Sequence, residues 1–159
     1  MIVRKAEFGD IRKIVPFLLD AKEFVENDVP VDENTLRNTL QRVVNQPGNQ
    51  LFISMDDDRI TGVLAGISNQ IWYSKKKQVL DLVFYVDPEY AGHGYYLARR
   101  YLGWARKVKG VAPGEVYLGV TSGMDIEKTS QFYERLGLSR AGAVYRMGNQ
   151  NVESSQENR

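Results

Sequence analysis

Val86-Asp87-Pro88-Glu89-Tyr90-Ala91-Gly92-His93-Gly94-Tyr95-Tyr96-Leu97-Ala98-Arg99-Arg100 decides how this chain is read. The stretch opens where an apolar, strand-like run ends and closes inside a segment with helical periodicity. Gly92 and Gly94 stand at the junction. A strand that passes into a helix over Gly-x-Gly presents backbone N–H groups without intrahelical partners, at the positive end of the helix dipole. That arrangement suits phosphate, so a phosphorylated cofactor is expected here. The plainer reading is a turn whose glycines only let the chain change direction.

Working outward, the helix after Gly94 carries Leu97, Tyr101, Trp104, Ala105 and Val108 on one face, with Arg99, Arg106 and Lys107 opposite and Gly110 at its end. Gln78 to Val86 reads as a strand apolar on both faces except at Asp81, hence central and covered on both sides. Ile60 to Ser68 is a further strand, joined to Leu51–Met55 through the turn Asp56-Asp57-Asp58-Arg59. Lys75-Lys76-Lys77 marks another turn, with Trp72 and Tyr73 just before it.

Upstream, Ile2 and Val3 open a strand. Asp10 is a plausible cap for a helix with Ile11, Ile14, Val15, Leu18, Ala21 and Val25, which Pro16 should bend. After the turn Asn27-Asp28-Val29-Pro30, a second helix follows Asp32, with Leu36, Leu40, Val43 and Val44 on one side, ending near Gln46-Pro47-Gly48. Downstream come a strand, Glu115–Val120, and a helix capped by Asp125 with Ile126, Thr129, Tyr133 and Leu136 on one face. A last strand, Ala143–Met147, precedes a polar tail over 148–159, expected to be disordered. The order β-α-α-β-β-β-α-β-α-β predicts an α+β fold: a mixed sheet, parallel at the strand–helix–strand passage, with helices on both faces. Residues 1–147 are expected to form one domain.

The chain has 159 residues, enough for one compact domain with a real core. Its formal net charge of +1 supplies no field toward nucleic acid or an anionic membrane. It has no cysteine, which excludes disulfides and thiolate chemistry, and its one histidine excludes a multi-histidine metal site. No metal is expected. Met1-Ile2-Val3-Arg4-Lys5 lacks the apolar core of a signal peptide, and no apolar run reaches membrane-spanning length. A soluble, cytoplasmic protein is the expectation.

Three segments resemble the GNAT superfamily of acyl-CoA-dependent N-acyltransferases. Asp81-Leu82-Val83-Phe84-Tyr85-Val86-Asp87-Pro88-Glu89-Tyr90 is similar to that family's central strand and its exit. Ala91-Gly92-His93-Gly94-Tyr95-Tyr96 stands in the place of its pyrophosphate loop. Gln131-Phe132-Tyr133-Glu134-Arg135-Leu136-Gly137-Leu138, with Gly142, Tyr145 and Met147 beyond, is similar to its C-terminal ending. The chain departs from the pattern at Ala91, where the family has Arg or Gln, and at Tyr96, where it has Gly or Ala. Ile126 and Thr129 also replace the family's usual Asn and Ala. A bulky residue at 96 would crowd the backbone's approach to the pyrophosphate. These changes bear on cofactor affinity more than on fold.

The resemblance implies acetyl-CoA as co-substrate, bound in a cleft where the Gln78–Val86 strand parts from the Glu115–Val120 strand. Backbone groups of Phe84, Tyr85 and Val86 would pair with the pantetheine arm, and those of Ala91, Gly92, His93, Gly94, Tyr95 and Tyr96 would hold the pyrophosphate. The His93 imidazole beside phosphate would add a donor, although an exposed loop histidine explains it as well. Arg99 and Arg100 would reach a distal phosphate, or simply form a solvated helix face.

Two residues are candidates for chemistry. A phenol at Tyr133 would stabilise or protonate the leaving thiolate, yet it shares a helical stripe and would serve equally as packing. Asp81, polar in an apolar strand, would take the proton of the incoming ammonium, or else pair with a lysine or cap the strand's start. Lys75–Lys77 fit an acidic partner or an exposed hairpin tip, and Trp72 and Tyr73 an acceptor pocket or ordinary strand aromatics. The expected acceptor is an amine of open identity. A catalytically weak or inactive binding module on the same fold, and a nucleic-acid-modifying enzyme using the lysine turn, remain as alternatives. Pairing of edge strands between copies, giving a homodimer, is one arrangement the sheet allows.

Overall fold

A computed structural model describes residues 1–21, 29–119 and 125–145. Its elements run β1 (Ile2–Lys5), α1 (Ile11–Asp20), α2 (Glu33–Asn45), β2 (Gln50–Asp56), β3 (Arg59–Gln70), β4 (Lys77–Val86), α3 (His93–Ala105), β5 (Val111–Val116) and α4 (Ile126–Arg135). The five strands form one sheet in the order β1-β2-β3-β4-β5. Neighbours are antiparallel except β4 and β5, which are parallel and joined through α3. The expected mixed sheet with helices on both faces is the one observed.

The sheet's two faces bury different residues because strand side chains alternate. Ile53, Val63 and Ala65 meet Ile14, Val15 and Leu18 of α1 and Leu40 and Val43 of α2. Phe52, Leu64 and Val79 meet Leu97, Tyr101, Leu102 and Ala105 of α3 on the opposite side. Two positions carry an extra residue. Ala65 pairs with Val83 and Gly66 with Asp81, which leaves Leu82 as a bulge in β4. Ser54 pairs with Gly62 and Met55 with Ile60, which leaves Thr61 as a bulge in β3.

Several sequence expectations shift. Asp10 precedes α1 but makes no side-chain cap to it; its carboxylate accepts from Glu7 N–H and from both terminal nitrogens of Arg4, at 2.7 and 2.8 Å. Pro16 does lie inside α1, on its exposed side, where a missing N–H costs least. The strand expected at 115–120 begins earlier and its pairing is interrupted: Lys77 pairs with Val111 and Val79 with Val116, so Ala112-Pro113-Gly114-Glu115 loops out against Gln78. Pro and Gly explain why this reads poorly as a strand. β4 is not evenly covered, since Leu82 is 46% exposed. On α4 only Tyr133 is buried, so the stripe from Ile126 to Leu136 is not a continuous packed face. Residues 143–145 lie in no strand, while Met147, the 148–159 tail, Val25, Asn27, Asp28 and Val120 fall outside the described residues.

Candidate active site

The exit from β4 is fixed by local chemistry. Asp87 accepts from Glu89 N–H at 3.0 Å, capping the short turn Pro88–Tyr90, and pairs with Arg59 at 2.8 Å. Proline at the first position of that turn loses no needed donor. Arg59 also lies over the Tyr90 ring, 5.6 Å from its centroid. The chain then enters α3 with Gly92 as N-cap.

Neither junction glycine is demanded by the fold. Gly92 has φ −61°, so no left-handed conformation is involved. A Cβ there would meet nothing within 4 Å, and one at Gly94 would rest at ordinary distance, 3.6 Å, from a Val86 methyl. Gly92 therefore leaves exposed backbone bare, whereas Gly94 is buried against Val86 and Phe84. Gly94 N–H turns back onto Ala91 O at 3.2 Å, so the cradle has fewer donors than the sequence suggests. Tyr95 and Tyr96 are 40% and 49% exposed and pack edge-on with centroids 5.4 Å apart, and no Tyr96 side-chain atom lies within 4 Å of the place a Gly92 Cβ would take.

His93 is neither a free loop histidine nor an evident phosphate ligand. Its Nδ1 lies 2.8 Å from Thr61 Oγ1, which is hydrogen-bonded to Ser54 Oγ at 3.0 Å. Which of Nδ1 and Oγ1 donates follows the imidazole tautomer. The bulge at Thr61 makes this tether from the first turn of α3 to the sheet. Only small polar residues inside apolar strands hinted at it.

At the other end of the candidate cleft, β4 and β5 part. Tyr117 N–H still reaches Val79 O at 2.9 Å, but beyond it side chains replace the ladder. Asp81 accepts from Gly119 N–H at 2.8 Å, Tyr133 Oη donates to Gly119 O at 3.0 Å, and Tyr101 Oη donates to Tyr117 O at 2.6 Å. The structure thus brings the two candidate catalytic residues together on one glycine. It also adds Tyr101, whose buried hydroxyl needed a partner somewhere. Gly66 makes room for this group, since a Cβ there would lie 2.5 Å from the Trp104 ring and 2.7 Å from the Tyr101 ring.

Burial raises the Asp81 pKa, partly opposed by the Gly119 N–H bond. Burial, then the Asp81 charge, raises that of Tyr133, and the same causes raise that of Tyr101, followed by Tyr133 itself. A phenol so shifted stays protonated and is a hydrogen-bond donor. Outright proton loss to a thiolate, whose conjugate acid titrates at about 8.5 in cysteine, runs uphill from it.

Between these ends lie Phe84, Tyr85 and Val86. Phe84 and Val86 face the α3 side, while Tyr85 faces α1 with its ring 5.5 Å from Phe17. From Asp81 to Val86 the strand rise spans about 17 Å. Near α3, Arg99 donates to Tyr95 Oη at 3.1 Å, and Tyr95, Arg99, Arg106 and Arg135 line a cleft of about 300 Å³ between α3 and α4. Arg106 and Arg135 were not singled out by sequence, because they come together only when the helices pack. Trp72 and Tyr73, 92% and 71% exposed, sit on the β3–β4 connection and line none of four cavities formed by the described residues.

This architecture matches solved acetyltransferase structures. An acetyltransferase from Trypanosoma brucei superposes with a TM-score of 0.66 at 22% identity, over 92% of this chain and 98% of the other. A possible acetyltransferase from Clostridium difficile 630 gives 0.67 at 16% identity, over 95% and 97%. An aminoglycoside acetyltransferase from an uncultured soil metagenomic sample, in complex with sisomicin, gives 0.67 at 18% identity, over 92% and 93%. No family model matches the sequence, and no curated protein matches it. The chain has the GNAT fold. No helix among the described residues is long and apolar enough to cross a membrane.

Proposed function

We propose that the protein is a GNAT-type N-acetyltransferase that moves an acetyl group from acetyl-CoA to an amine. The observation that carries this reading is the parting of β4 from β5 at Asp81 and Gly119, opposite a bare glycine turn at the β4 exit. The residues present fit coenzyme A. Main-chain donors around Gly92 and His93 would hold the pyrophosphate, the arginine-lined cleft beside Tyr95 would take a further phosphate, and β4 from Phe84 to Val86 would run beside the pantetheine arm. Ala91 supplies no side-chain contact, so the backbone carries that task.

Orientation of two reactants in one cleft does most of the catalytic work. The amine nitrogen attacks the thioester carbonyl carbon. The incoming ammonium gives up one proton before attack; then a C–N bond forms, the C–S bond breaks, and the second nitrogen proton is delivered to sulfur through solvent. Asp81, held by Gly119 N–H, receives the ammonium proton directly or through water. Tyr133 turns its O–H from Gly119 O toward the departing sulfur and stabilises it by hydrogen bonding, without giving up its proton.

One observation favours a second reading. Both candidate groups are already engaged with Gly119, which is what a structural clamp in a non-catalytic binding module would require. Calorimetry and thermal shift with acetyl-CoA and CoA separate the two. Ligand at a hundred times its Kd should stabilise the fold by about 2.7 kcal/mol. No shift at millimolar CoA would leave the clamp reading standing.

A further inference from the structure

Leu82 is a leucine set outward by a bulge, immediately after Asp81 and where β4 loses β5. Bulges beside reactive sites commonly re-aim a side chain. Here the re-aimed side chain walls a cavity of about 330 Å³ on the α1–α2 side of the sheet, bounded by Leu18, Val31, Leu36, Leu40, Leu82 and Val83.

We propose that the acceptor is a primary amine on an uncharged apolar body, and that the body lodges in this cavity with its nitrogen directed toward the parting at Asp81. The proposal rests on the acetyltransferase reading above. Three observations carry it. The cavity adjoins β4 at residues 82 and 83, the acyl end of the candidate cleft, and not the pyrophosphate end. Its one carboxylate among the described residues, Asp32, caps α2 with one oxygen, accepting from Thr35 N–H at 2.7 Å. No other acid among the described residues lines it, so a second cationic centre would meet at most that one capping carboxylate. The volume, at about 30 Å³ per water, is room for about ten non-hydrogen atoms.

The charged alternative lies elsewhere. A cavity of about 570 Å³ is lined by Arg12, Lys13, Asp20, Asp58, Arg59 and Asp87. It meets β4 only at its exit, near Tyr85 and Asp87, beyond where the acyl carbon would sit. A polycationic acceptor of the aminoglycoside or polyamine kind is therefore not the one this apolar wall selects.

The test uses the full chain with methyl-labelled Leu and Val, titrated with 2-phenylethylamine and, separately, spermidine. Saturable shifts of Leu36, Leu40 and Leu82 methyls by 2-phenylethylamine, at least tenfold weaker in Leu82→Asp and in Val31→Asp, support the proposal. Both positions are exposed enough to accept a charge and stay folded, which an unchanged far-UV spectrum checks. CoA release in the presence of acetyl-CoA should be at least tenfold faster with 2-phenylethylamine than with spermidine at equal concentration. Absence of methyl shifts at millimolar amine, or equal shifts by spermidine, overturns it. If CoA raises the thermal midpoint while the methyls stay silent, the cavity proposal falls and the acetyltransferase reading stands. If the methyls respond and CoA has no effect, the apolar amine site stands and the acetyltransferase reading falls.

Discussion

The half built from β1, β2, β3, α1 and α2 and the seam between β4 and β5 are held together by different means. In the first, strand ladders run unbroken except at one bulge, and Ile14, Val15, Leu18, Leu51, Ile53 and Val63 are fully or almost fully sealed from solvent. In the seam, the ladder stops after Val79 and Val116, and three side-chain oxygens take over. Packing resists small changes by volume, whereas the seam resists them by hydrogen bonds whose partners are main-chain groups. A cleft needs the second kind of construction, because a closed ladder would leave no room for a substrate arm.

The comparison breaks first if the packed half tolerates a cavity. Ile53→Ala should cost about 3 kcal/mol, read as a lower urea midpoint at unchanged slope. Acetyl transfer per folded molecule should not change, because Ile53 touches nothing in the seam. In the seam the pattern should reverse. Tyr133→Phe should lower kcat about a hundredfold, equivalent to about 2.7 kcal/mol, and lower stability by only about 1 kcal/mol. A large loss of stability with kcat intact would assign Tyr133 to the clamp alone.

Gly66 lies where the two constructions meet. Its missing Cβ lets the Tyr101 and Trp104 rings lie on the sheet opposite Asp81. Gly66→Ala should cost about 1–3 kcal/mol through overpacking. Since displacing Tyr101 also frees Tyr117 O, KM for acetyl-CoA should rise along with the loss. A variant that unfolds earlier but keeps its KM would show that the seam is insulated from the packing above it.

The same contrast explains what the sequence could disclose. The junction from Val86 to Arg100, the helices α1 to α3 and the hairpins were legible, because each depends on local periodicity and turn chemistry. The parted strand was not. Tyr117-Leu118-Gly119 alternates like a strand, yet side chains from β4, α3 and α4 hold it, and that is a property of tertiary contact. The bulge at Leu82 was invisible for a related reason: an extra residue changes register without changing composition, so Asp81 looked like a lone polar residue in a central strand. His93 was misplaced because its partners, Thr61 and Ser54, are far away in sequence. Asp81 and Tyr133 stood out in the sequence one by one, but their common attachment to Gly119 could be found only in space.

The finest distinction between clamp and catalyst lies in how Asp81 responds to pH. Burial raises its folded-state pKa, so the protonated form suits the site better than the carboxylate does. Stability linked to such a group is fully present below the unfolded carboxyl value, about 3.9, and is lost as pH rises through the raised folded value. At neutral pH the native chain therefore carries a penalty that an amide avoids, while the amide oxygen still accepts from Gly119 N–H. Asp81→Asn should be as stable as the native protein or more so at pH 7, by about 1 kcal/mol or less. The difference should shrink as pH falls, in matched thermal melts. Activity should move the other way: the native acid limb of kcat/KM should vanish in the variant, with the remaining rate low at every pH. If Asp81→Asn instead melts earlier at pH 7 and keeps a normal pH–rate profile, the carboxylate charge serves the seam, and the proton acceptor is another group or solvent.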